Sequence, residues 1–330
     1  MKLASIKTPT SRDGVLVVVS QDLSRYAVVS DIAPTLQYAL EHWSRCEPLL
    51  QATSAALNAD TNSGEAFSAQ HAAAPLPRAY QWCDGSAYLS HAELVRKARG
   101  AEMPAMLYHE PLLYQGGSDD LSGPHDPIYI AADDWGLDLE AEIAVITDDV
   151  PMGVSVEQAH AHIKLVTLVN DVSLRLIMKP ELTKGFGFYQ SKPSTAFAPV
   201  AVTPDELADL WRNSALDASV VSHVNGQKLG APNAATDLNF NFAQIIAHAT
   251  KTRNLKAGTI IGSGTVSNRN PEQVGSSCLQ EIRMLETIAT GEAITPFMTY
   301  GDVVRIEALD ANGDSIFGAI EQTVEAYAPA

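Results

Sequence analysis

The sequence predicts a mixed, mainly β protein in which a small β-rich N-terminal domain and linker, residues 1–76, lead into a larger domain over residues 77–330. Three observations carry that expectation. Short apolar runs alternate with polar turns from the first residues onward, Asn-Gly turns recur in the second half, and segments with helical spacing are few and short. At 330 residues the chain is long enough to bury a sizeable core, and 46% hydrophobic against 18% charged residues is the balance of an ordinary globular protein.

Residues 15–19 and 26–29 read as small antiparallel strands, and residues 35–43 as a short helix. From 51 to 77 the composition shifts to Ala, Ser, Asn and Pro around Thr61-Asn62-Ser63-Gly64, which predicts a surface connection between the two units. After Asp84-Gly85-Ser86, the residues Tyr88, His91, Ala92 and Val95 recur at spacings of three and four, so a helix over 87–98 turns His91 inward. Residues 127–131 and 139–146 are strand-like, and a period of two puts Glu140 and Glu142 on one face. Capping signatures at Ser155-Val156-Glu157-Gln158 and Thr203-Pro204-Asp205-Glu206 predict short helices at both places. Residues 196–202 read as a strand, and 242–249 as a helix with Phe242, Ile245, Ile246 and Ala249 on one stripe. Asn225-Gly226 and Asn312-Gly313 predict hairpin turns, because Asn-Gly tolerates positive φ. Neither a GxxxxGK[ST] phosphate loop nor the Gly-rich turn of a dinucleotide fold is present in the sequence.

Acidic residues outnumber basic ones by 39 to 22, and the net charge of -17 repels phosphate backbones, so nucleic acid is not an expected partner. The same field opposes an anionic substrate. An enzyme acting on a small acid here needs a metal or a basic side chain to reverse the sign inside its cleft. Cys46, Cys83 and Cys278 form no CxxC pair and are too few for a disulfide scaffold, which predicts reduced thiols in a cytoplasm. No continuous apolar segment follows the basic residues 1–7, and the five-residue run 15–19 is far short of the roughly 20 that span a membrane. Neither export by that route nor a membrane is expected.

Glu140 and Glu142 give the strongest chemical signal. Two carboxylates on one face of an apolar strand repel and desolvate one another, so either that face meets solvent or a cation sits between them. Asp171 ends the mainly apolar run 165–169 and reads as a cap or a third ligand; carboxylates and water form an oxygen shell suited to Mg, Ca or Mn. Asp84 and His91, seven residues apart, can face one cleft, although His91 alone also reads as a satisfied buried histidine. Lys192 is a solvated loop lysine or an active-site cation. The segment Gly262-Ser263-Gly264-Thr265-Val266-Ser267 offers a flexible backbone and hydroxyl donors, or only a turn. Glu281 is a helix-surface charge or the carboxylate that orients an imidazole.

Taken in order, these segments resemble the fumarylacetoacetate hydrolase family over residues 77–325. The matching pieces are Asp84 through His91, Asp138-Leu139-Glu140-Ala141-Glu142, Val169-Asn170-Asp171, Ser191-Lys192-Pro193 and Ser263-Gly264-Thr265-Val266-Ser267. The resemblance implies a fumarylacetoacetate-hydrolase-like β-sandwich roll and a divalent cation held by Asp84, Glu140, Glu142 and Asp171, with Mg first and Ca or Mn as alternatives. It implies His91 as base, Glu281 as its partner with Glu286 as the alternative, and Lys192 as a catalytic cation. Substrate contacts are implied at Ser86, Arg99, Tyr189, Gly264 and Thr265. The expected assembly is a homodimer, and the expected reaction is carbon-carbon cleavage of a small dicarbonyl acid. The substrate implied first is fumarylacetoacetate, split to fumarate and acetoacetate in tyrosine breakdown. An acylpyruvate hydrolase or an oxaloacetate decarboxylase is the alternative within the family, and a non-catalytic β-fold binding protein the alternative outside it. Departures from the family pattern fall on recognition of the far carboxylate: Ser86 replaces a Tyr, Gly100 with Arg99 adjacent replaces an Arg, and Met178 and Leu182 stand near the places of a Gln and a Tyr.

Overall fold

The computed structural model describes residues 1–98 and 102–328. Its apolar alternation builds an 11-stranded sheet. From one edge the strands run Glu65–Ala66, Arg25–Val28, Ser11–Val19, Lys2–Thr8, Ala201–Val202, Ile163–Asn170, Ala141–Thr147, Thr259–Gly262, Gln81–Gly85 and Leu113–Gly116, with Ala196–Phe197 paired to Ile163–Asn170. Lys2 pairs with Val202 and Leu3 with Ala201, so the first three strands extend the same sheet that carries the later ones.

Period-two parity divides that sheet into two apolar faces. Val17, Val19, Ile143, Val145, Val166 and Leu168 pack in one core with Val220, Val304, Ile306 and Ile320 of a second sheet. This second sheet has five strands, in the order Gln227–Gly230, Ser219–Val224, Val303–Leu309, Ile320–Ala326 and Ile128–Ile130. On the opposite face, Leu16, Val18, Ala144, Ile146, Leu165 and Val169 pack with Leu36, Leu40, Trp43 and Leu50 of the helices Leu36–Glu41 and Trp43–Ala59. The result is the mixed, mainly β sandwich expected from the sequence, covered by helices on one side.

Several local expectations hold for the reasons given. Thr35 caps the first helix through the Tyr38 amide, Ser155 and Asn241 form capping boxes, and Asn225 and Gly226, both at positive φ, join the expected hairpin. Others differ. The expected connection at 51–77 begins as helix, because Trp43–Ala59 continues through it with Leu50, Ser54 and Leu57 buried; its Ala-rich composition is helix propensity rather than linker. At Thr203 no helix starts. The Thr203 hydroxyl accepts from the Met1 ammonium at 2.7 Å and Glu206 pairs with the same group at 3.0 Å, so both members of the expected cap are engaged elsewhere. A turn and the 3-10 helix Ala208–Leu210 follow. Pro199 divides the strand expected at 196–202 into two short pieces. Past Asn312-Gly313 a single Leu309–Ser315 bridge forms, while Val303–Leu309 takes Ile320–Ala326 as its strand partner.

Candidate metal and catalytic site

Adjoining strand ends bring the acidic residues together. Asp84 pairs in parallel register with Gly262, Gly262 pairs with Ala144, and Glu142, two residues earlier on that strand, lies opposite Val169. Asp171 follows directly after that last strand. A Cβ on Gly262 would come within 2.2 Å of Asp84 Oδ1 and 2.4 Å of the Trp82 ring, so glycine here makes room for the Asp84 carboxylate. One oxygen each from Asp84, Glu142 and Asp171 lie within 4.8 Å of one another, and all three residues are buried. Two ligands bound to one hard cation at about 2.0–2.6 Å are separated by at most about 5 Å, so the spacing suits such an ion.

Of the four carboxylates expected to converge, the structure gathers these three and holds the fourth beside them. Glu140 Oε1 accepts from Arg175 Nη2 at 2.7 Å and Oε2 from Lys192 Nζ at 2.5 Å. Lys192 also donates to Asp171 Oδ2 at 2.5 Å, an oxygen that accepts from the Tyr114 hydroxyl at 2.6 Å as well. Glu142 is different: both of its oxygens are buried without a hydrogen-bond partner among the described residues. Burial, followed by the charges of Asp84 and Asp171, pushes Glu142 well above the usual carboxylate range, and burial followed by Asp171 pushes Asp84 up to about 8. Burial also works against ionising Glu140, but Arg175 and then Lys192 hold it below its ordinary value. For Lys192 burial opposes the charge, yet Asp171 and Glu140 lift it above the lysine range, so the amine is an ammonium. An all-oxygen donor set without Cys or His, with Glu142 unpaired among the described residues, matches Mg, Mn or Ca rather than zinc.

His91 and Glu281 approach from two packed helices. His91 lies on Leu89–Ala98 and Glu281 on Leu279–Thr290, with Nδ1 3.6 Å from Glu281 Oε1. That separation is longer than a hydrogen bond, and Nδ1 has no partner among the described residues. Ser267 Oγ donates to the same Glu281 oxygen at 2.5 Å, and Ser90 Oγ reaches the Ser267 hydroxyl at 3.0 Å, so the carboxylate is fixed from behind. Glu286 faces elsewhere, accepting from the Ile294 and Thr295 amides, which leaves Glu281 as the carboxylate next to His91.

A cavity of about 330 Å³ joins the two groups, lined by Asp84, Glu142, Lys192, His91, Ser86 and Thr265 among others. Gly264 also lines it, donating its amide to Asp84 Oδ1 at 3.0 Å. Tyr189 does not line it: its side chain is 88% exposed, and the neighbouring Phe188 fills that part of the wall. The expected contact at Arg99 lies outside the described residues.

Arg175, Asp138 and Tyr114 were not singled out from the sequence. Arg175 Nε donates to Asp138 Oδ2 at 2.8 Å, tying Asp138 to the Glu140 pair. Asp138 also accepts the Leu279 and Gln280 amides at 2.7 and 2.9 Å. It therefore caps a helix whose own N-cap, Cys278, makes no side-chain bond, and so positions Glu281 in that helix's first turn. The only sequence signals were the placement of Asp138 two residues before Glu140 and of Arg175 four residues after Asp171.

A two-sheet sandwich thus brings together a buried carboxylate triad whose spacing suits a hard cation, a lysine and a neighbouring histidine-glutamate pair. Residues 81–325 match the family described as Fumarylacetoacetate (FAA) hydrolase C-terminal, and residues 1–78 match Fumarylacetoacetase N-terminal domain 2. The chain belongs to the fumarylacetoacetate hydrolase family. Over 159 residues it is 30% identical to the 2,4-didehydro-3-deoxy-L-rhamnonate hydrolase of a Sphingomonas species, an alignment spanning 47% of this chain and 53% of that protein. It is 30% identical over 199 residues to the oxaloacetate tautomerase YisK of Bacillus subtilis, covering 60% of this chain and 62% of that one. Each alignment thus spans less than two thirds of the curated relative. The maleylpyruvate hydrolase of Sphingobium sp. SYK-6, solved with manganese(II) and pyruvate, superposes over 99% of this chain and 100% of its own at a TM-score of 0.66 and 17% identity, a likeness of fold.

Proposed function

We propose that the protein is a divalent-metal-dependent hydrolase that cleaves the carbon-carbon bond of a 2,4-dioxo acid of the acylpyruvate type, in preference to fumarylacetoacetate. The observation that carries this reading is Glu142, a buried carboxylate with both oxygens unpaired beside Asp84 and Asp171, in one cavity with Lys192 and His91. Mg or Mn bound by these carboxylates would supply Lewis-acid polarisation of the dicarbonyl oxygens and the positive charge that an acidic protein needs to receive an anion.

The chain's own residues then divide the work. With Nδ1 turned toward Glu281, His91 has Nε2 to take a proton from water, and the carboxylate stabilises the imidazolium that forms. The hydroxide oxygen bonds to the acyl carbonyl, C4, and the Lys192 ammonium donates to the developing oxyanion. The C3–C4 bond breaks with its electron pair left on C3 as the enolate of pyruvate, which the proton held by His91 converts to pyruvate. The other product is the acyl carboxylic acid. Thr265 and Ser86 provide hydroxyls along the same wall.

Two considerations favour an acylpyruvate over fumarylacetoacetate. The cavity wall contributed by Met178, Leu112 and Phe188 is apolar, which suits a short acyl group better than a second carboxylate. The rhamnonate-derived acid and oxaloacetate in the names of two similar proteins are also small oxo acids, set against the human fumarylacetoacetase, which is 30% identical over 197 residues, 52% of this chain and 47% of that protein. Oxaloacetate itself is the second reading, because it needs the same stabilised enolate. The test is a steady-state assay with acetylpyruvate, oxaloacetate and fumarylacetoacetate, with Mg or Mn and with chelator. Acetylpyruvate should give acetate and pyruvate only with metal. Preference for fumarylacetoacetate would overturn the substrate, and chelator-resistant turnover the metal. The protein is also proposed to be a homodimer, a reading that sedimentation as a 35.3 kDa monomer would reject.

A further inference from the structure

Lys192 reaches the carboxylates from an otherwise exposed stretch of chain. The helix Arg175–Lys184 ends at Gly185 in the left-handed region, Phe186 is fully exposed, and Gly187 again has positive φ with open space around it. Tyr189 and Gln190 are exposed too, yet Ser191 and Lys192 are buried. Something must register this segment before it enters the site, since an unsupported glycine-containing loop leaves the following lysine many orientations.

That support is one carboxylate. Glu181, on the penultimate turn of the helix and only 7% exposed, accepts from three consecutive amides: Tyr189 N at 3.2 Å, Gln190 N at 2.8 Å and Ser191 N at 3.1 Å. Its Oε2 also accepts from the Ser191 hydroxyl at 2.5 Å. Arg175, which pairs with Glu140, begins the same helix six residues earlier, about 9 Å along the axis. One rigid element therefore carries the guanidinium that holds one side of Glu140 and the carboxylate that aims Lys192 at the other. Phe188 packs edge-on against Tyr114, with ring centroids 5.4 Å apart, and Tyr114 bonds Asp171, so the same segment meets the site a second time.

We infer that Glu181 is a positioning residue: by clamping the backbone of residues 189–191 it sets the Lys192 ammonium between Glu140 and Asp171. The inference rests on the proposed role of Lys192 only where it concerns turnover; the position of the lysine can be read without substrate. In the wild-type protein, acetic anhydride should modify the exposed Lys179 and Lys184 while Lys192 stays protected. Glu181→Gln keeps the shape but turns an amide donor toward amide donors. It should raise Lys192 modification and the amide exchange of Tyr189–Ser191 at least about tenfold, with a melting temperature within a few degrees of wild type. Ser191→Ala removes a single bond of the clamp and should fall between the two, which keeps the test decisive if Glu181→Gln folds poorly. Unchanged Lys192 protection in both variants overturns the inference.

Turnover supplies the second readout. Glu181→Gln should lower kcat roughly 10–100-fold with KM little changed, as a misplaced catalytic group does. In a Lys192→Met background it should change kcat less than about twofold, because the effect passes through the lysine. Full multiplication of the two losses would overturn the positioning role. Normal kcat in Lys192→Met, with labelling as expected, would instead sink the function proposed for Lys192 and leave the clamp standing.

Discussion

Glu142→Gln tests the metal reading most sharply, because it should move stability in opposite directions with and without the ion. Glu142 is buried, without a hydrogen-bond partner among the described residues, and flanked by Asp84 and Asp171. Gln is neutral without having to bind a proton and carries an amide that donates to its acidic neighbours, and relief of a buried unsatisfied group amounts to about 1–3 kcal/mol. Unfolding entropy of about 2.1 cal/mol/K per residue over 330 residues is about 0.7 kcal/mol/K, so 1 kcal/mol corresponds to about 1.4 °C. The metal-free variant should therefore melt about 1–4 °C above wild type. Manganese at one hundred times its Kd should stabilise wild type by about 2.7 kcal/mol, or about 4 °C, and the variant hardly at all. The assay is thermal unfolding in chelator and across a manganese titration. A variant less stable than wild type in chelator, or one retaining the full manganese shift, would refute the argument, since either result means Glu142 is satisfied by the protein and not by an ion.

Two further substitutions separate the parts of the site. His91→Ala should leave melting temperature and manganese affinity near wild type while lowering kcat about 10²–10⁴-fold, measured on acetylpyruvate; turnover close to wild type would show that His91 is not the base. Gly262→Ala sets a methyl within 2.2 Å of Asp84 Oδ1 and against Trp82. It should cost about 1–3 kcal/mol of stability and weaken manganese binding together, and isothermal titration showing unchanged affinity would mean that Asp84 is not a ligand.

The parts legible in the sequence are those where chemistry and periodicity coincide locally. Glu140 and Glu142 stand out because strand parity assigns both to one face, and His91 because it falls on a helical stripe seven residues from Asp84. What periodicity could not give is how the two glutamates differ. Arg175 reaches Glu140 from 35 residues away and Lys192 from 52, whereas Glu142 lies beside Asp84 and Asp171 with no hydrogen-bond partner among the described residues, so long-range pairing splits a pair that looks symmetric in one dimension. Asp138 binds amides 141 and 142 residues later in the chain, and Glu181 binds amides of a loop; backbone donors carry no residue code, which is why neither acid stood out. The helix within 51–77 was hidden for a different reason: Ala and Ser serve linkers and tightly packed helices alike.

The electrostatics of the site answer the difficulty that the composition raises. Asp84, Asp138, Glu140, Glu142 and Asp171 are buried together with, among the described residues, only Arg175 and Lys192 as cations in direct contact, so the centre reproduces in miniature the acidic excess of the whole chain. The two cations do not share themselves evenly. Both bind Glu140, each takes one further acid, and the remaining deficit concentrates on Glu142 and Asp84, where burial lets neither ionise readily. A divalent ion bound there would relieve that deficit at its densest point and, together with the Lys192 ammonium, would present positive potential to the cavity. On the proposed function, an anionic acid approaching a protein of net charge -17 would be drawn to that ion and not to the surface, with Lys192, already oriented by Glu140 and Asp171, beside it. The same arrangement would favour the proposed small acid: the attraction would act at short range inside the cavity, and the acidic exterior repels larger polyanions before they reach it.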